Sequence, residues 1–236
     1  MACPEHSPCG VGDARQTTRY AGASAPCVHT LGPRQEHRTS PTPHEPGRLG
    51  RVDLDRPARL VAPELLGAVL TVDGVAIRLT EVEAYEGEAD PASHAWRGMT
   101  PRNAVMYGKA GRLYVYLSYG IHSCVNVVCD VEGTASAVLL RAGEVVAGEE
   151  AVRTRRGHVP YVRLASGPGN LGSALGLTAA DSGLELDGTR ASLVGGTSGA
   201  ITTGPRIGIS RAADTPWRFW LVGEPSVSAH LRSARA

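Results

Sequence analysis

Only one phenylalanine, Phe219, and one lysine, Lys109, occur in this chain of 236 residues. Hydrophobic residues are 42% of the whole, so aliphatic side chains must fill most of the core, and arginine must supply nearly all the positive charge. No apolar run approaches the roughly 18 residues that span a bilayer. Met1 to His6 lacks the basic and apolar regions of a secretory leader. The five cysteines show no dense spacing, which fits a reducing cytoplasm rather than a disulfide framework. Cys124 and Cys129 fall at odd separation on one predicted strand, so they face opposite ways and read as unpaired core residues. The net charge is only +1, so any basic surface has to be local.

Residues 1–50 hold seven of the sixteen prolines, four of the eight histidines and three cysteines, with almost no periodic apolar pattern. Such a segment buries too little surface to offset its ordering entropy and reads as a disordered tail or a misassigned start. Cys3, His6, Cys9, Cys27 and His29 match no strong zinc-site spacing. Residues 51–232 form the expected globular domain. Asp55 is placed to cap a helix with Pro57 in its first turn and Leu60, Val61, Leu65 and Leu66 as its apolar face. Asp73-Gly74 predicts a hairpin joining strands 69–72 and 75–85, and Tyr119-Gly120 the turn between strands 113–118 and 122–129. A short strand is expected at 137–141, helices at 149–156 and 170–177, and late strands at 206–210 and 217–222. Strand pairs with interspersed helices and no βαβ rhythm predict a single α+β domain.

The last absence is the most informative. Between Pro91 and Cys129 there is no acidic residue, whereas the segment just before it carries Glu81, Glu83, Glu86, Glu88 and Asp90. The acid-free stretch holds Arg97, Arg102, Lys109, Arg112, Trp96 and four of the seven tyrosines: Tyr107, Tyr114, Tyr116 and Tyr119. Carboxylates beside a cationic, aromatic surface suit a polyanion with stackable rings, which is nucleic acid. By alternation Ile77, Leu79, Glu81, Glu83 and Tyr85 share one strand face, and spacing does not separate Glu81 from Glu83 as an acid or base. Tyr119, at a hairpin apex, is placed to enter a base stack as a wedge. Thr100-Pro101-Arg102-Asn103 reads as a turn that, with Arg97 and Lys109, can face phosphates.

The ordered set Glu81-Val82-Glu83-Ala84-Tyr85, His94, Thr100-Pro101-Arg102-Asn103, Leu113 to Gly120, Val125-Asn126-Val127, Leu139 to Ala142, Ser166-Gly167-Pro168 and Pro205 to Gly208 resembles the alkyladenine (3-methyladenine) DNA glycosylases, from about Leu54 to Ser228. The resemblance implies a mixed α/β domain with a curved antiparallel sheet, acting as a monomer on double-stranded DNA with damaged purines. It implies no cofactor or metal and a nucleoid-associated place in the cytoplasm. It puts the water-activating carboxylate on Glu83 and an active-site arginine on Arg141. Tyr85, His94 and Tyr116 would hold the extruded base, and Asn126 would crowd the exocyclic amino group of normal guanine. Tyr119 would fill the vacated stack, with Thr100, Arg102 and Lys109 towards the DNA backbone. Two positions depart from the family pattern: Met99, where related bacterial sequences usually carry a basic residue, and Asn170, where they usually carry Lys.

The implied reaction is hydrolysis of the bond between a damaged purine and its sugar. The expectation is a monofunctional enzyme, because the only lysine lies in a predicted turn between motifs and a bifunctional one needs an amine. Two other classes compete with this reading. One is a lesion-specific DNA-binding protein without catalysis. The other is a hydrolase of small nucleosides or sugars using Glu81 and Glu83 as a pair, though residues two apart on a strand lie only about 7 Å apart and side by side.

Overall fold

The computed structural model of the chain describes residues 52–197 and 199–228. The proline-rich tail, with its cysteines and histidines, lies outside the described residues. Helix α1 spans Ala58–Leu65, and strands β1 (Val69–Val72) and β2 (Val75–Tyr85) follow. β3 (Leu113–Ser118), β4 (His122–Val128) and β5 (Ala137–Ala147) lead to helices α2 (Glu149–Arg156) and α3 (Pro168–Leu175). Three short strands complete the order: β6 (Ala191–Val194), β7 (Ile201–Gly204) and β8 (Arg218–Leu221). None of these helices is long and apolar enough to cross a membrane.

Every strand pairing is antiparallel, and the strands join into one curved sheet in the order β3-β4-β5-β2-β1-β6. β8 pairs with β2 beyond the end of β1, and β7 pairs with β8. This is the α+β domain with a curved antiparallel sheet that the chain's pattern and its resemblance predict. The hairpins form on left-handed turns, Asp73-Gly74 at φ 46° and 84° and Tyr119-Gly120 at 51° and 73°. Positive φ at both central residues matches the twist of the flanking strands.

The main core lies between the helices and one face of the sheet. Val61 and Leu65 of α1, Val152 of α2, and Leu171 and Leu175 of α3 pack with Val115, Val125, Val127, Val138 and Leu140. Fully burying one such aliphatic side chain stabilises the fold by about 1.5–3 kcal/mol. α3 lies close to β4: a Cβ on Gly172 would stand 2.0 Å from the Ser123 carbonyl oxygen. The opposite face carries a smaller cluster, Ala95, Met106, Tyr107, Tyr114, Val128, Ala135 and Ala137.

Several expectations are corrected. Asp55 does not cap α1, which starts after Pro57 without a side-chain cap, and Leu60 is exposed rather than on the buried face. The expected helix over 170–177 begins and ends two residues earlier. The expected short strand at 137–141 runs on to Ala147 because β2 pairs with it along almost its whole length. The expected strand at 206–210 is a loop, and β6 and β7 were not anticipated. Pro205 and the left-handed Gly208 (φ 76°) suit that loop rather than a ladder.

Candidate active site

The arrangement of β2 is decided by a bulge. Its pairing with β5 slips between Leu79 and Val82, on either side of Glu81. A bulge re-aims the side chains beyond it. Before it Ile77 and Leu79 enter the main core, and after it Val82 and Ala84 do so, a change of parity. Glu81, Glu83 and Tyr85 therefore do not continue the Ile77–Leu79 face, contrary to the simple alternation. They turn to the opposite side, which Tyr114, Tyr116, Asn126 and Arg141 reach from β3, β4 and β5.

On that side lies a cavity of about 720 Å³, within the roughly 300–1,000 Å³ of typical small-molecule sites. Tyr85, His94, Arg102, Tyr116, Tyr119, Asn126 and Arg141 all line it, and so do Pro168 at the start of α3 and the loop from Ile207 to Arg211. Glu83 sits behind this wall with its side chain fully buried. Its Oε1 accepts the Ile207 N–H at 2.8 Å, its Oε2 accepts the Tyr85 hydroxyl at 2.8 Å, and Arg141 Nη1 stands 3.3 Å from Oε1. All three neighbours line the cavity.

Glu81 differs in its surroundings. Its Oε1 accepts from Arg141 Nε at 2.9 Å, Arg218 Nε at 2.6 Å and the Ser228 hydroxyl at 2.9 Å, and its Oε2 takes the Ser228 N–H at 2.7 Å. Burial raises the Glu81 carboxyl, but the Arg141 charge, the Ser228 donors and Arg218 outweigh it and hold it below the usual range. Burial likewise raises Glu83, and there the opposing Arg141 charge, Ile207 N–H and Tyr85 hydroxyl do not outweigh it, so it stays above the usual range. A carboxylate shifted upward behind a cavity wall is suited to taking a proton. Glu81 instead anchors two guanidinium groups. Spacing makes the two alike, and their hydrogen-bond partners differ.

The aromatic wall is interlocked. His94 meets Tyr116 edge-on with centroids 4.5 Å apart, and Tyr114 stacks on Tyr116 at 5.5 Å. His94 Nδ1 lies 3.1 Å from the Tyr114 hydroxyl. Desolvation of the ring, with the Arg102 charge nearby, holds His94 below its usual pKa and favours the neutral imidazole. Burial, and then Glu83, raise Tyr85, so its hydroxyl keeps its proton and remains a donor. The Asn126 amide is fixed by donation to the Tyr114 carbonyl at 3.0 Å. Tyr119, at the β3–β4 apex, is 92% exposed in a left-handed conformation that non-glycine residues seldom adopt.

Arg102 lies over the Tyr116 ring at 5.5 Å and reaches the Leu117 carbonyl. Thr100 closes the neighbouring turn, its N–H donating to Asn103 Oδ1 at 2.6 Å. Lys109 is not brought to this cavity; it lines a smaller cleft with Arg112 and Glu185. Met99 is exposed, and Asn170 uses its amide to donate to the Ser166 carbonyl at 2.6 Å. Cys129 is buried in the main core as expected, whereas Cys124 lines the cavity. Two residues of the Pro205 to Gly208 motif, to which no role was assigned from the sequence, also act here: Ile207 holds Glu83, and Arg206 backs Tyr85 with its guanidinium 4.6 Å from the ring centroid.

The family model for methylpurine-DNA glycosylase (MPG) matches residues 52–225, most of the chain. A Corynebacterium efficiens protein is 52% identical over 178 residues, covering 75% of this chain and 94% of its own length. One from Nocardia farcinica is 55% identical over 189 residues, covering 74% of this chain and 88% of its own. One from Rhodopseudomonas palustris is 52% identical over 194 residues, covering 79% and 95%. All three carry the name "Putative 3-methyladenine DNA glycosylase". With the curved antiparallel sheet and its aromatic cavity, these matches show that the chain belongs to the methylpurine-DNA glycosylase family.

Proposed function

We propose that this protein extrudes an alkylated or deaminated purine from double-stranded DNA into the aromatic cavity and hydrolyses its N-glycosidic bond as a monofunctional enzyme. The observation that carries the reading is Glu83: a fully buried carboxylate with raised proton affinity, held behind a wall of Tyr85, Arg141 and Ile207. Glu83 takes a proton from water, the oxygen bonds to C1′, and the C1′–N bond breaks with its electron pair leaving on the purine. A cationic alkylpurine thereby departs neutral, whereas a neutral hypoxanthine departs as its anion and takes up the proton that Glu83 received from water. The buried negative charge also favours the cationic sugar carbon that develops as the bond lengthens.

Tyr85, His94 and Tyr116 hold the extruded ring, and an electron-poor purine is favoured by cation–π attraction to the tyrosines. Asn126, its amide fixed on the Tyr114 carbonyl, excludes the exocyclic amino group of guanine. Thr100 and Arg102 face the DNA backbone; Lys109, in its separate cleft, would meet only a more distant phosphate. In this reading a single copy of the chain suffices, working at the nucleoid in the cytoplasm.

Duplexes containing a single hypoxanthine, 7-methylguanine, 3-methyladenine or etheno adduct test the reading. The expected products are free base and an alkali-labile abasic site, with no covalent adduct trapped by borohydride. Tight binding without base release would make this a lesion-binding protein, and a trapped adduct would overturn the monofunctional mechanism.

Tyr119 is the proposed wedge. Aromatic stacking on a base contributes about 1–3 kcal/mol, so Tyr119→Ala is expected to weaken binding to a hypoxanthine duplex roughly 5- to 150-fold. The same substitution should cost far less on a single strand carrying the lesion, where no stack needs filling. Equal losses on both substrates would refute the wedge.

A further inference from the structure

Arginines away from the cavity commonly hold a carboxylate: Arg78 reaches Glu144 and Glu224, Arg112 reaches Glu185, and Arg190 reaches Asp73 and Asp181. At the cavity wall and around Trp96 the pattern changes. Arg97, Arg102 and Arg211 have no carboxylate within ion-pair distance among the described residues, and each lies against an aromatic face instead. Arg211 is the best seated, its guanidinium carbon 4.3 Å from the Trp96 centroid, and it lines the cavity at the end of the loop that begins beside Glu83. Trp96 is itself 37% exposed, with Arg97 on it at 5.5 Å.

An aromatic seat orders a guanidinium without neutralising it, so its N–H donors stay available to an incoming oxyanion. An ion pair would have consumed both the charge and the fork of donors. Arg102 on Tyr116 was already legible as a phosphate-facing residue; Arg211 lies more than a hundred positions further along and was not. We infer that Arg211, seated on Trp96, is a second phosphate clamp that grips a phosphodiester of the DNA strand beside the extruded nucleotide. This rests on the reading of the cavity as a DNA glycosylase site and adds a contact from the wall formed by the 207–211 loop.

The test measures binding of the full-length protein to an undamaged duplex over a salt series. Each neutralised phosphate contributes about −0.9 to the slope of log K against log salt. Arg211→Gln is expected to flatten the slope by about 0.9 on undamaged and hypoxanthine duplexes alike. Trp96→Ala should flatten it in the same direction and Trp96→Phe, which keeps a ring, should preserve it. The ion-paired Arg153→Gln is the control with the wild-type slope. A wild-type slope for Arg211→Gln would overturn the clamp. A flattened slope for Arg211→Gln with a wild-type one for a folded Trp96→Ala would overturn the aromatic seat. No measurement here depends on excision, so a protein that cleaves nothing but loses a unit of slope would keep the clamp and refute the proposed chemistry. A wild-type protein that binds no DNA would refute both.

Discussion

Glu83→Gln is expected to lower single-turnover excision of hypoxanthine by about 10²- to 10⁴-fold, the usual contribution of a general base. Binding to the same duplex should stay near the wild-type level. The substitution is nearly isosteric, and the amide oxygen can still accept the Ile207 N–H that Glu83 accepts at 2.8 Å. Arg141 is not orphaned by the change, because its Nε remains bonded to Glu81 at 2.9 Å. A loss in excision with intact binding therefore reports chemistry rather than collapse. Excision by Glu83→Gln at the wild-type rate would remove Glu83 from the reaction.

The pH profile gives the same residue a second readout. Burial holds the Glu83 carboxyl above the ordinary carboxylate range, and only the deprotonated form can take a proton from water. Excision should therefore rise with pH through a midpoint displaced upward from that of a solvated glutamate, and the limb should vanish from the residual activity of Glu83→Gln. Glu81 cannot supply this limb, since Arg141, Ser228 and Arg218 hold it below the usual range, where it stays ionised. A wild-type acid limb at or below the ordinary carboxylate range would contradict the buried, raised base.

Much of the fold was legible from local signals, whereas the roles of Tyr85, His94, Tyr116, Asn126 and Arg141 rested on the ordered motifs of the family resemblance. Asp73-Gly74 and Tyr119-Gly120 specify two hairpins because positive φ is needed at both turn positions, and those hairpins fix which strands meet. The charges of α2, acidic in its first turn and basic in its last, placed it at Glu149–Arg156. The bulge at Glu81 was not legible. It is a property of the pairing between β2 and β5, more than fifty residues apart, and nothing in the run Leu79 to Val82 marks it. Period-two alternation therefore assigned Glu81 and Glu83 to the wrong side of the sheet. The loop at Arg206–Ser210 failed for a related reason: its apolar residues read as a strand, yet their role is to wall the cavity and lend one N–H to Glu83. The seat of Arg211 on Trp96 is a contact between distant loops, which no local pattern announces.

Asp90→Asn is expected to destabilise the domain by about 3–5 kcal/mol, because it breaks one partner of a buried ion pair and leaves the other charged. Asp90 and Arg206 both have fully buried side chains. Arg206 Nη1 donates to Asp90 Oδ2 at 2.5 Å and to the Ala84 carbonyl at 2.9 Å, and Nη2 donates to Asp90 Oδ1 at 2.8 Å. Its Nε is buried with no acceptor among the described residues, so the guanidinium already depends on Asp90 for its main compensation. For a domain of this size the loss corresponds to a fall in melting temperature of roughly 6–20 °C. Replacing both partners together, Asp90→Leu with Arg206→Met, removes the stranded charge and should recover most of the stability. Excision should not recover with it. Arg206 backs the Tyr85 ring at 4.6 Å and directly precedes Ile207, whose N–H holds Glu83, so the pair ties fold stability to the placement of the base. Asp90→Asn melting with the wild type would show the pair to be dispensable. A double variant that is both stable and fully active would show that the pair holds the fold alone and leaves Tyr85 and Glu83 to position themselves.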